Sequence, residues 1–448
     1  MHVLVAVIRS KSGAARMFSR QVNMSANAEV PIGGKSQVAK TSPATKNDAA
    51  ALAQDIASPV NAILWIMCFA HFLNDLLQSL LSAVFPMLRD SYQLDFSQIG
   101  YIALAFQITA SIFQPFVGMY TDKHPKPWGL AAGMGATLTG LLLLAYAGSY
   151  WGLLIAASMV GLGSSIFHPE GSRVVRMAAA GGRMGTAQST FQVGGNFGQA
   201  SGPLLAAFVL IPLGQRGLVW FALVALLAMG LLAWVGRWYA AQLAKEALAP
   251  RRAAAGGAHG LTRNQVGITI GLLLLLMFSK SFYSSSLTTF YTFYLMDKFQ
   301  VPLRDAQLYL FLFMGSVAAG VYFGGPLGDR FGRKYIIWFS ILGALPFTLA
   351  LPYANLFWAA ILTVAIGFIT ASSMSQIVVY ALELVPGRTG MLAGLFLGFA
   401  FGMSGIAAAA LGHLADVTSL DFVFKICSFL PLIGVVCWFL PNIDKLRK

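Results

Sequence analysis

Three polar side chains in one apolar segment have a spacing that suggests proton chemistry. His71, Asp75 and Gln78 occur at i, i+4 and i+7 in an apolar stretch that begins near Val60, so they share one face of a helix. An acid and an imidazole held in an apolar environment can take up and release a proton. A polar seam that only joins two helices is the alternative interpretation, but ionisable side chains in an apolar environment are costly, so a functional role is the better default.

A second candidate group lies in the segment Gly163–Glu170, which reads GSSIFHPE. His168 shares a helical face with Ser165 and Ser172, which predicts that it faces a cavity. Glu170 points the other way and can reach Arg173 at i+3, so a structural ion pair is as good an interpretation as proton coupling. We considered His168 and Glu170 as metal ligands, but no third ligand has a fitting spacing. We therefore predict no metal site.

Polar faces recur later in the chain. Lys280, Ser284 and Thr288 repeat at i, i+4 and i+8, with Tyr283 alongside. Lys280 follows Asp75 by 205 positions, so we predict that the two form an ion pair between matching helices. Further polar side chains with helical spacing are Gln192, Asn196, Gln376 and Tyr380, and Gln107 lies in another apolar segment.

The elements that must position these residues are membrane helices. Of the 448 residues, 57% are hydrophobic and 10% are charged, against about a quarter charged in soluble proteins. Twelve apolar segments are each near the length that a bilayer requires. We place them at 60–88, 97–120, 128–148, 151–177, 185–211, 217–237, 265–293, 305–328, 335–353, 355–383, 389–411 and 422–440. The sequence predicts an all-α membrane protein.

The distribution of the basic residues predicts the orientation. With both ends cytoplasmic, 24 of the 30 Lys and Arg residues fall on that side. Arg89, Arg216, Lys298 and Arg304 fall on the other. This bias fixes topology, so the net charge of +14 reflects membrane orientation and lipid attraction and does not indicate nucleic-acid binding.

A duplicated loop predicts a duplicated architecture. Gly325–Lys334 reads GPLGDRFGRK between two apolar segments, and a weaker copy, GMYTDK, occurs at Gly118–Lys123. Two copies at this offset indicate two pseudo-symmetric six-helix bundles. We expect a disordered tail at 1–55, bundles at 56–237 and 264–448, and a cytoplasmic linker at 238–263.

The loop resembles the motif of the major facilitator superfamily, between the second and third spans of each half. The resemblance implies that the loops act as cytoplasmic latches, through Gly118, Asp122 and Lys123 in the first copy and Gly325, Asp329, Arg330, Gly332 and Arg333 in the second. The first copy has Pro125 and Pro127 where glycine and a cation are expected.

Longer motifs resemble the fosmidomycin resistance protein family. They are HFLND at 71–75, the stretch from Phe106-Gln107 to Gln114-Pro115, GSSIFHPE at 163–170, QSTFQVGGNFG at 188–198 and YTFYLM at 291–296. The resemblance covers the membrane domain and implies an inner-membrane exporter of a small phosphonate antibiotic, driven by proton entry. Many drug–proton antiporters of the superfamily carry an arginine near position 157, where this chain has Ala157.

This resemblance gives the polar faces expected roles. Asp75, His71, His168 and Glu170 are the candidates for proton coupling. The candidates for binding an anionic cargo are Lys280, Tyr283, Ser284, Gln107, Gln192, Asn196, Gln78, Gln376 and Tyr380. Cargo arriving at Lys280 would withdraw that cation from Asp75 and favour its protonation.

The sequence leaves the direction of transport open. An uptake symporter for a small organic or phosphorylated anion is the alternative to export. A sensor or channel is a rival of another class, although the tail and linker are too short for a soluble output domain. We find no catalytic motif, and we expect a monomer that uses no cofactor besides the proton.

Overall fold

The computed structural model describes residues 46–179, 184–246, 262–385 and 389–442. Within these ranges the chain forms helices and turns, and no strand is present. Twelve helical segments are long and apolar enough to cross a membrane, which confirms the predicted fold class. We number them spans 1 to 12: Ala62–Tyr92, Phe96–Thr121, Gly129–Tyr146, Tyr150–Ala178, Thr190–Leu213, Gln215–Lys245, Arg263–Phe299, Leu303–Gly328, Arg333–Tyr353, Leu356–Leu384, Gly394–Val417 and Leu420–Phe439.

The helices differ from the spans where prolines and turns interrupt them. The α-helices of at least six residues are Lys46–Ala83, Phe85–Tyr92, Phe96–Lys123, Gly129–Tyr146, Tyr150–Ala178, Met184–Leu205, Phe221–Glu246, Arg263–Phe299, Leu303–Phe331, Arg333–Leu342, Leu345–Ala350, Leu356–Ala371, Met374–Leu384, Thr389–Val417 and Leu420–Cys427. A π-turn at Ala206–Leu210 and the short helix Ile211–Leu213 complete span 5. The 3₁₀ segments are Gln215–Trp220, Leu351–Tyr353 and Leu430–Phe439.

Two of the predicted domain boundaries fall inside observed helices. The first helix begins at Lys46, inside the segment 1–55 that we expected to be disordered. The helix of span 6 continues to Glu246, inside the expected linker 238–263. Ile56–Lys448 make up one compact unit, so the division into two bundles at the linker stays a prediction. Below, the first half is the part before residue 247 and the second half the part after 261.

Gly332 makes a sharp bend between spans 8 and 9. It ends the helix Leu303–Phe331 with φ at 91°, and the next helix begins at Arg333. A side chain at this φ would be strained. The motif's glycine therefore lets span 9 turn back against span 8 within a single residue.

Pro169 lies inside the continuous helix Tyr150–Ala178. The helix therefore runs through the HPE segment without ending there, and His168 stays on a regular helical face. This regularity allows the spacing of span 4 to set which of its side chains point toward spans 1 and 5.

Spans 2 and 11 join the two halves and approach most closely at one end. A Cβ on Gly412 would lie 2.3 Å from the carbonyl oxygen of Phe96, and one on Gly100 would lie 2.4 Å from that of Ala408. Further along, a Cβ on Gly398 would lie 3.6 Å from Ser111, and one on Gly394 meets nothing within 4 Å. The two helices thus touch backbone to backbone at one end and diverge toward the other.

The end at which they touch carries Arg89, Arg216, Lys298 and Arg304. These are the few cations that the sequence assigns to the side opposite the 24 cytoplasmic Lys and Arg residues, so we call it the cation-poor end. There the Asp416 carboxylate of span 11 accepts hydrogen bonds from the backbone N–H groups of Phe96 (2.8 Å) and Ser97 (2.7 Å) and from the Ser97 hydroxyl (2.5 Å). These N–H groups begin the helix of span 2 and have no partner within it. A carboxylate from one half therefore caps a helix of the other.

Other contacts close the same end. Gln307 of span 8 donates to the carbonyl oxygen of Ala83 at 2.8 Å. The Arg89 guanidinium lies 4.3 Å from the ring centroid of Phe96 and 5.9 Å from that of Phe293. The structure is therefore closed between the halves at the cation-poor end.

We predict that Asp416→Ala opens this end, because two helix N–H groups lose their acceptor. The expected shift is about threefold to tenfold toward separated halves. Spin labels at the exposed positions Tyr146 and Tyr353 would report this opening as a longer label-to-label distance in double electron–electron resonance. Asp421 is the matched control, since it pairs with Lys298 and Lys425 inside one half. An equal change in Asp421→Ala would contradict the role given to Asp416.

Candidate functional site

The candidate site is built around the carboxylate of Asp75 in span 1. His71 lies one turn earlier, and its Nε2 is 3.4 Å from Asp75 Oδ2. Asn74 donates from Nδ2 to Asp75 Oδ1 at 2.9 Å. The i, i+4 spacing therefore brings the imidazole and the carboxylate together as the sequence predicts.

His168 joins this pair from span 4. Its Nε2 lies 3.7 Å from Asp75 Oδ1, and its ring stands edge-on to that of His71 with centroids 5.2 Å apart. The sequence nominated all three residues, but helical spacing could not predict a contact between residues 93 positions apart. We call His71, Asp75 and His168 the proton cluster.

The backbone around the proton cluster sets the tautomer of both imidazoles. His71 Nδ1 bonds the carbonyl oxygen of Phe191 at 2.7 Å, and His168 Nδ1 bonds that of Ser164 at 3.0 Å. A carbonyl oxygen only accepts, so each Nδ1 carries the hydrogen. In the neutral rings each Nε2 then presents a lone pair, and both lone pairs face the carboxylate. Acceptor atoms converge there, and protonation of either imidazole supplies the missing donor.

Burial differs between the members of the cluster. The side chains of His71, Asp75 and His168 are 2%, 16% and 18% exposed, and His71 Nε2 has no hydrogen-bond partner. His168 and Asp75 are therefore the more exposed members of the cluster. Phe401 of span 11 reaches this side, with its ring 6.2 Å from that of His168.

Span 5 fits against the cluster because it carries glycines. A Cβ on Gly195 would lie 2.5 Å from His71 Nε2 and 2.8 Å from Asp75 Oδ2. One turn apart on the neighbouring face, Cβ atoms on Gly194 and Gly198 would lie 2.1 Å from the carbonyl oxygens of Cys68 and Phe72. The small residues thus let spans 1 and 5 pack at backbone distance.

Glu170 lies outside the cluster. It is fully buried, its Oε1 accepts a hydrogen bond from Arg173 at 3.1 Å, and the same guanidinium donates to the carbonyl oxygen of Thr121 at 2.5 Å. This geometry supports the structural ion pair between Glu170 and Arg173. His168 and Glu170 do not form a ligand pair.

A different set of atoms has the spacing of a cation site. The ligand atoms of His71, Asp75 and His168 lie within 4.8 Å of one another, close enough to hold a metal ion. Spacing along the sequence could not reveal this set, because His71 and Asp75 lie on span 1 and His168 lies on span 4. The same three atoms that would take a proton are therefore the ones that could take a metal ion.

The structure contradicts the predicted ion pair between Asp75 and Lys280. The Lys280 ammonium donates to the hydroxyls of Ser373 (2.5 Å) and Ser340 (3.3 Å) and to the carbonyl oxygen of Thr370, and the residue is 8% exposed. Its long side chain turns into spans 9 and 10 of its own half, where three oxygens satisfy it. Lys280 is thus sealed away from Asp75, and its expected role as anchor of an anionic cargo loses its geometric basis.

The polar face of span 10 also packs inside the second half. Tyr380 is fully buried and donates to the carbonyl oxygen of Pro441. Gln376 is 4% exposed, and its Nε2 donates to the carbonyl oxygens of Gly324 and Gly325, both at 3.2 Å. These two predicted cargo residues therefore hold spans 8 and 12 in place instead of facing the first half.

The other predicted cargo residues have mixed surroundings. Tyr283 is buried and Ser284 is exposed. Asn196 donates to the carbonyl oxygen of Gln192 at 2.8 Å. Gln78 Nε2 and Gln107 Oε1 are buried without a hydrogen-bond partner, so both have capacity for a polar ligand.

The loop motif is described in part. Arg333 forms an ion pair with Glu383 of span 10, and the guanidinium of Arg330 lies 5.4 Å from the ring of Phe331. A Cβ on Gly118 would lie 3.9 Å from that of Pro169, and one on Gly325 meets nothing within 4 Å. The side chains of Asp122, Lys123 and Asp329 lie outside the described part of the structure, so the latch role stays a prediction.

Two comparisons decide the family. The model of the Major Facilitator Superfamily matches residues 67–292 and 272–448. The chain is 55% identical over 380 residues to the fosmidomycin resistance protein of Escherichia coli K12, a match that covers 85% of this chain and 93% of that one. The chain belongs to the fosmidomycin resistance family of the major facilitator superfamily. It is therefore a multi-pass membrane transporter of the efflux type.

Further relatives agree with this family. An uncharacterised transporter of the superfamily from Bacillus subtilis 168, YfnC, is 44% identical over 401 residues, which cover 88% of this chain and 96% of that one. Among solved structures, a D-xylose–proton symporter has a TM-score of 0.69 and covers 86% of this chain and 98% of its own. The nucleoside transporter NupG has a TM-score of 0.64, covering 84% of this chain and 98% of its own. Both are 14% identical and show the shared fold alone.

The glycine contacts of this transporter generate a stability prediction. Gly198→Ala would place a methyl group 2.1 Å from a backbone oxygen, which span 1 can relieve only by moving. We expect a loss of about 1–3 kcal/mol in the free energy of unfolding. Gly230→Ala in span 6 meets nothing within 4 Å and should stabilise its helix by up to about 1 kcal/mol. Thermal unfolding in detergent would measure both, and equal melting temperatures would contradict the close packing.

Proposed function

We propose that this transporter exports small anionic compounds such as fosmidomycin in exchange for protons. The proton cluster is the observation that carries the proposal, since two imidazole lone pairs and a carboxylate face one another at 3.4 and 3.7 Å. The name of the Escherichia coli relative supports the cargo class. The proton cluster supports the assignment of the proton as the coupling ion.

The cluster can couple two flows because its charge changes with its protonation. Without an added proton, one carboxylate and two neutral imidazoles carry a net charge of −1. An added proton lies between an imidazole Nε2 and a carboxylate oxygen and neutralises the group. In the exchange cycle, a proton enters from the acidic exterior while the halves are open to that side. It leaves to the cytoplasm after the halves have rocked.

The cargo is held on the exposed side of the cluster in this scheme. Gln78 and Gln107 have unused hydrogen-bonding atoms, and Gln192 and Asn196 are half-buried on span 5. Amides can donate to phosphonate oxygens and accept from a hydroxamate. These four side chains replace Lys280 as the proposed contacts.

The cellular setting follows from the same proposal. The transporter lies in the bacterial inner membrane with both termini cytoplasmic, because the cation-rich loops favour that side. It works as a monomer, with the proton as its coupling ion, without a cofactor and without nucleic acid.

We predict that expression of the chain raises the concentration of fosmidomycin needed to inhibit a sensitive strain, and that Asp75→Asn returns it to the level of cells with an empty vector. Asparagine keeps the volume but cannot carry the proton. In proteoliposomes Asp75→Asn should lose uphill transport driven by a pH gradient and keep downhill exchange of labelled fosmidomycin.

Asp297→Asn is the matched control, because Asp297 is an exposed carboxylate at the cation-poor end of span 7. It should keep both activities. Undiminished uphill transport by Asp75→Asn would exclude Asp75 as the proton carrier.

A second candidate function has one observation in its favour. An anionic cargo needs positive charge, and Lys280 turns into its own half. A protonated imidazole of the cluster would supply that charge, so that proton and anion bind together. Joint binding favours a symporter, the uptake alternative.

The direction of proton flow separates the two functions. For the exporter we expect fosmidomycin leaving proteoliposomes to be accompanied by protons entering, recorded as lumenal acidification with a trapped pH dye. Lumenal alkalinisation during fosmidomycin exit would instead establish joint transport and overturn the exchange.

A further inference from the structure

We propose that the proton cluster is also a binding site for a divalent transition-metal ion such as Zn²⁺. The ligands are the Nε2 atoms of His71 and His168 and the carboxylate of Asp75, whose ligand atoms lie close enough together to hold one ion. The proposal goes beyond proton coupling and does not depend on it, because it follows from where these atoms lie and which way they point.

The separations of the ligand atoms fit the coordination sphere of zinc. Zinc bonds imidazole nitrogen and carboxylate oxygen at about 2.0–2.2 Å and prefers a tetrahedron, in which two ligand atoms lie about 3.4 Å apart. His71 Nε2 lies 3.4 Å from Asp75 Oδ2, and His168 Nε2 lies 3.7 Å from Asp75 Oδ1. All three ligand atoms fall within 4.8 Å of one another. His168, the more exposed imidazole, therefore has to move by at most about 1.5 Å to complete the sphere.

Both imidazoles present the nitrogen that a metal ion needs. Each Nδ1 donates to a backbone carbonyl, of Phe191 for His71 and of Ser164 for His168, so each Nε2 of the neutral rings has a free lone pair. Metal-binding histidines have the same arrangement, because a hydrogen bond from the other ring nitrogen fixes the ring. Asn74 orients the carboxylate in the same way, by donating to its Oδ1 at 2.9 Å. The groups that orient the ligands of a metal ion are thus already in place.

One of the ligand atoms is buried without a donor. His71 is 2% exposed, and its Nε2 has no hydrogen-bond partner. The carboxylate oxygen that it faces is an acceptor too, so the two atoms cannot satisfy each other while the imidazole is neutral. A metal cation between them satisfies both. Gly195 keeps this space free of side-chain atoms, since a Cβ there would lie 2.5 Å from His71 Nε2 and 2.8 Å from Asp75 Oδ2.

The ligand types select the class of ion. Imidazole nitrogen suits zinc, copper, nickel and iron, whereas magnesium and calcium prefer oxygen ligands. The carboxylate offsets half of the charge of a divalent ion, and no described residue that contacts the cluster adds a positive charge. These residues are Asn74, Ser164, Phe167, Phe191, Gly195 and Phe401.

The exposed side of the cluster leaves room for a further ligand. Three protein ligands leave at least one coordination position of zinc open. Asp75 and His168 are 16% and 18% exposed, in contrast to the sealed His71. The ion enters on this side, and water or another small oxygen donor completes its coordination.

A bound ion has a consequence for transport that, unlike the binding itself, rests on the proposed function. The ion occupies both imidazole lone pairs and the carboxylate, which are the atoms assigned to the coupling proton. Transport therefore stops while the ion is bound and resumes when a chelator removes it.

The test is metal binding by the purified native chain in detergent, freed of any affinity tag and stripped of metal by a chelator. After dialysis against ZnCl₂ and then against metal-free buffer, we expect one Zn²⁺ to be retained per chain, measured by inductively coupled plasma mass spectrometry. The same treatment with MgCl₂ should leave no retained ion. Co²⁺ in place of Zn²⁺ should show the intense visible absorption of a four- or five-coordinate ion, which hydrated Co²⁺ lacks.

Variants locate the ion. His168→Gln and Asp75→Asn each remove a ligand and should weaken Zn²⁺ binding by at least about a hundredfold, since loss of a group that only orients a ligand already costs about tenfold to a hundredfold. His413→Gln, at an exposed histidine of span 11, should bind Zn²⁺ as the native chain does. Undiminished binding by His168→Gln together with loss in His413→Gln would place the ion on the surface and overturn the proposal.

The native protein decides the question even where a variant fails to fold. No retained Zn²⁺ and a hydrated Co²⁺ spectrum overturn the metal site and leave proton coupling intact. Proteoliposomes of the native protein loaded with Zn²⁺ should lose uphill transport of fosmidomycin driven by a pH gradient and regain it with EDTA. Undiminished transport with the ion still bound would overturn proton coupling through the cluster and leave the metal site standing.

Discussion

The contact between one carboxylate and two imidazoles inside a membrane bundle is the constraint on which the rest of the site depends. A charged carboxylate in an apolar interior is costly unless donors surround it. Here Asn74 of span 1 donates one hydrogen bond to the carboxylate, a protonated His71 or His168 supplies the further donor, and span 5 supplies a carbonyl that orients one ring. The glycines of span 5 follow from this requirement, because any larger residue at Gly195 would occupy the space of the cluster. Residues of spans 1, 4 and 5 are thus all arranged around the carboxylate of Asp75.

Much of the fold could be predicted from the sequence, because membrane spans are set by length and apolarity. The twelve spans, the bend at Gly332 and the i, i+4 contact between His71 and Asp75 are local properties of the chain. Helical spacing also assigned His168 to a polar face of span 4. It could not show which neighbouring helix that face meets, so the contact between His168 and Asp75 needed the three-dimensional structure.

The same limit explains the wrong expectation for Lys280. Its position matches that of Asp75 in the other half, and equivalent positions suggested that the two would meet. A lysine side chain is long enough to choose among several neighbours, and Ser340, Ser373 and the carbonyl of Thr370 offered oxygens within its own half. Gln376 and Tyr380 differ from their predicted role in cargo binding for a related reason. Buried polar side chains form hydrogen bonds with nearby backbone carbonyls. Their helical spacing reflects packing between spans. The same periodicity would be expected of side chains that face a cavity, so a single sequence cannot distinguish the two.

The buried ammonium of Lys280 has a consequence for the response to voltage. All its described partners belong to the second half, so in the proposed rocking cycle an ammonium charge on Lys280 moves together with that half. A unit charge crossing the whole membrane field changes energy by about 2.3 kcal/mol per 100 mV. A tilt that carries it through about a tenth of the field is worth about 0.2 kcal/mol, which changes the populations of the two orientations by less than about twofold. In that proposed cycle, the resting potential of the cell would therefore favour one of the two orientations slightly, independently of any ion that the protein transports.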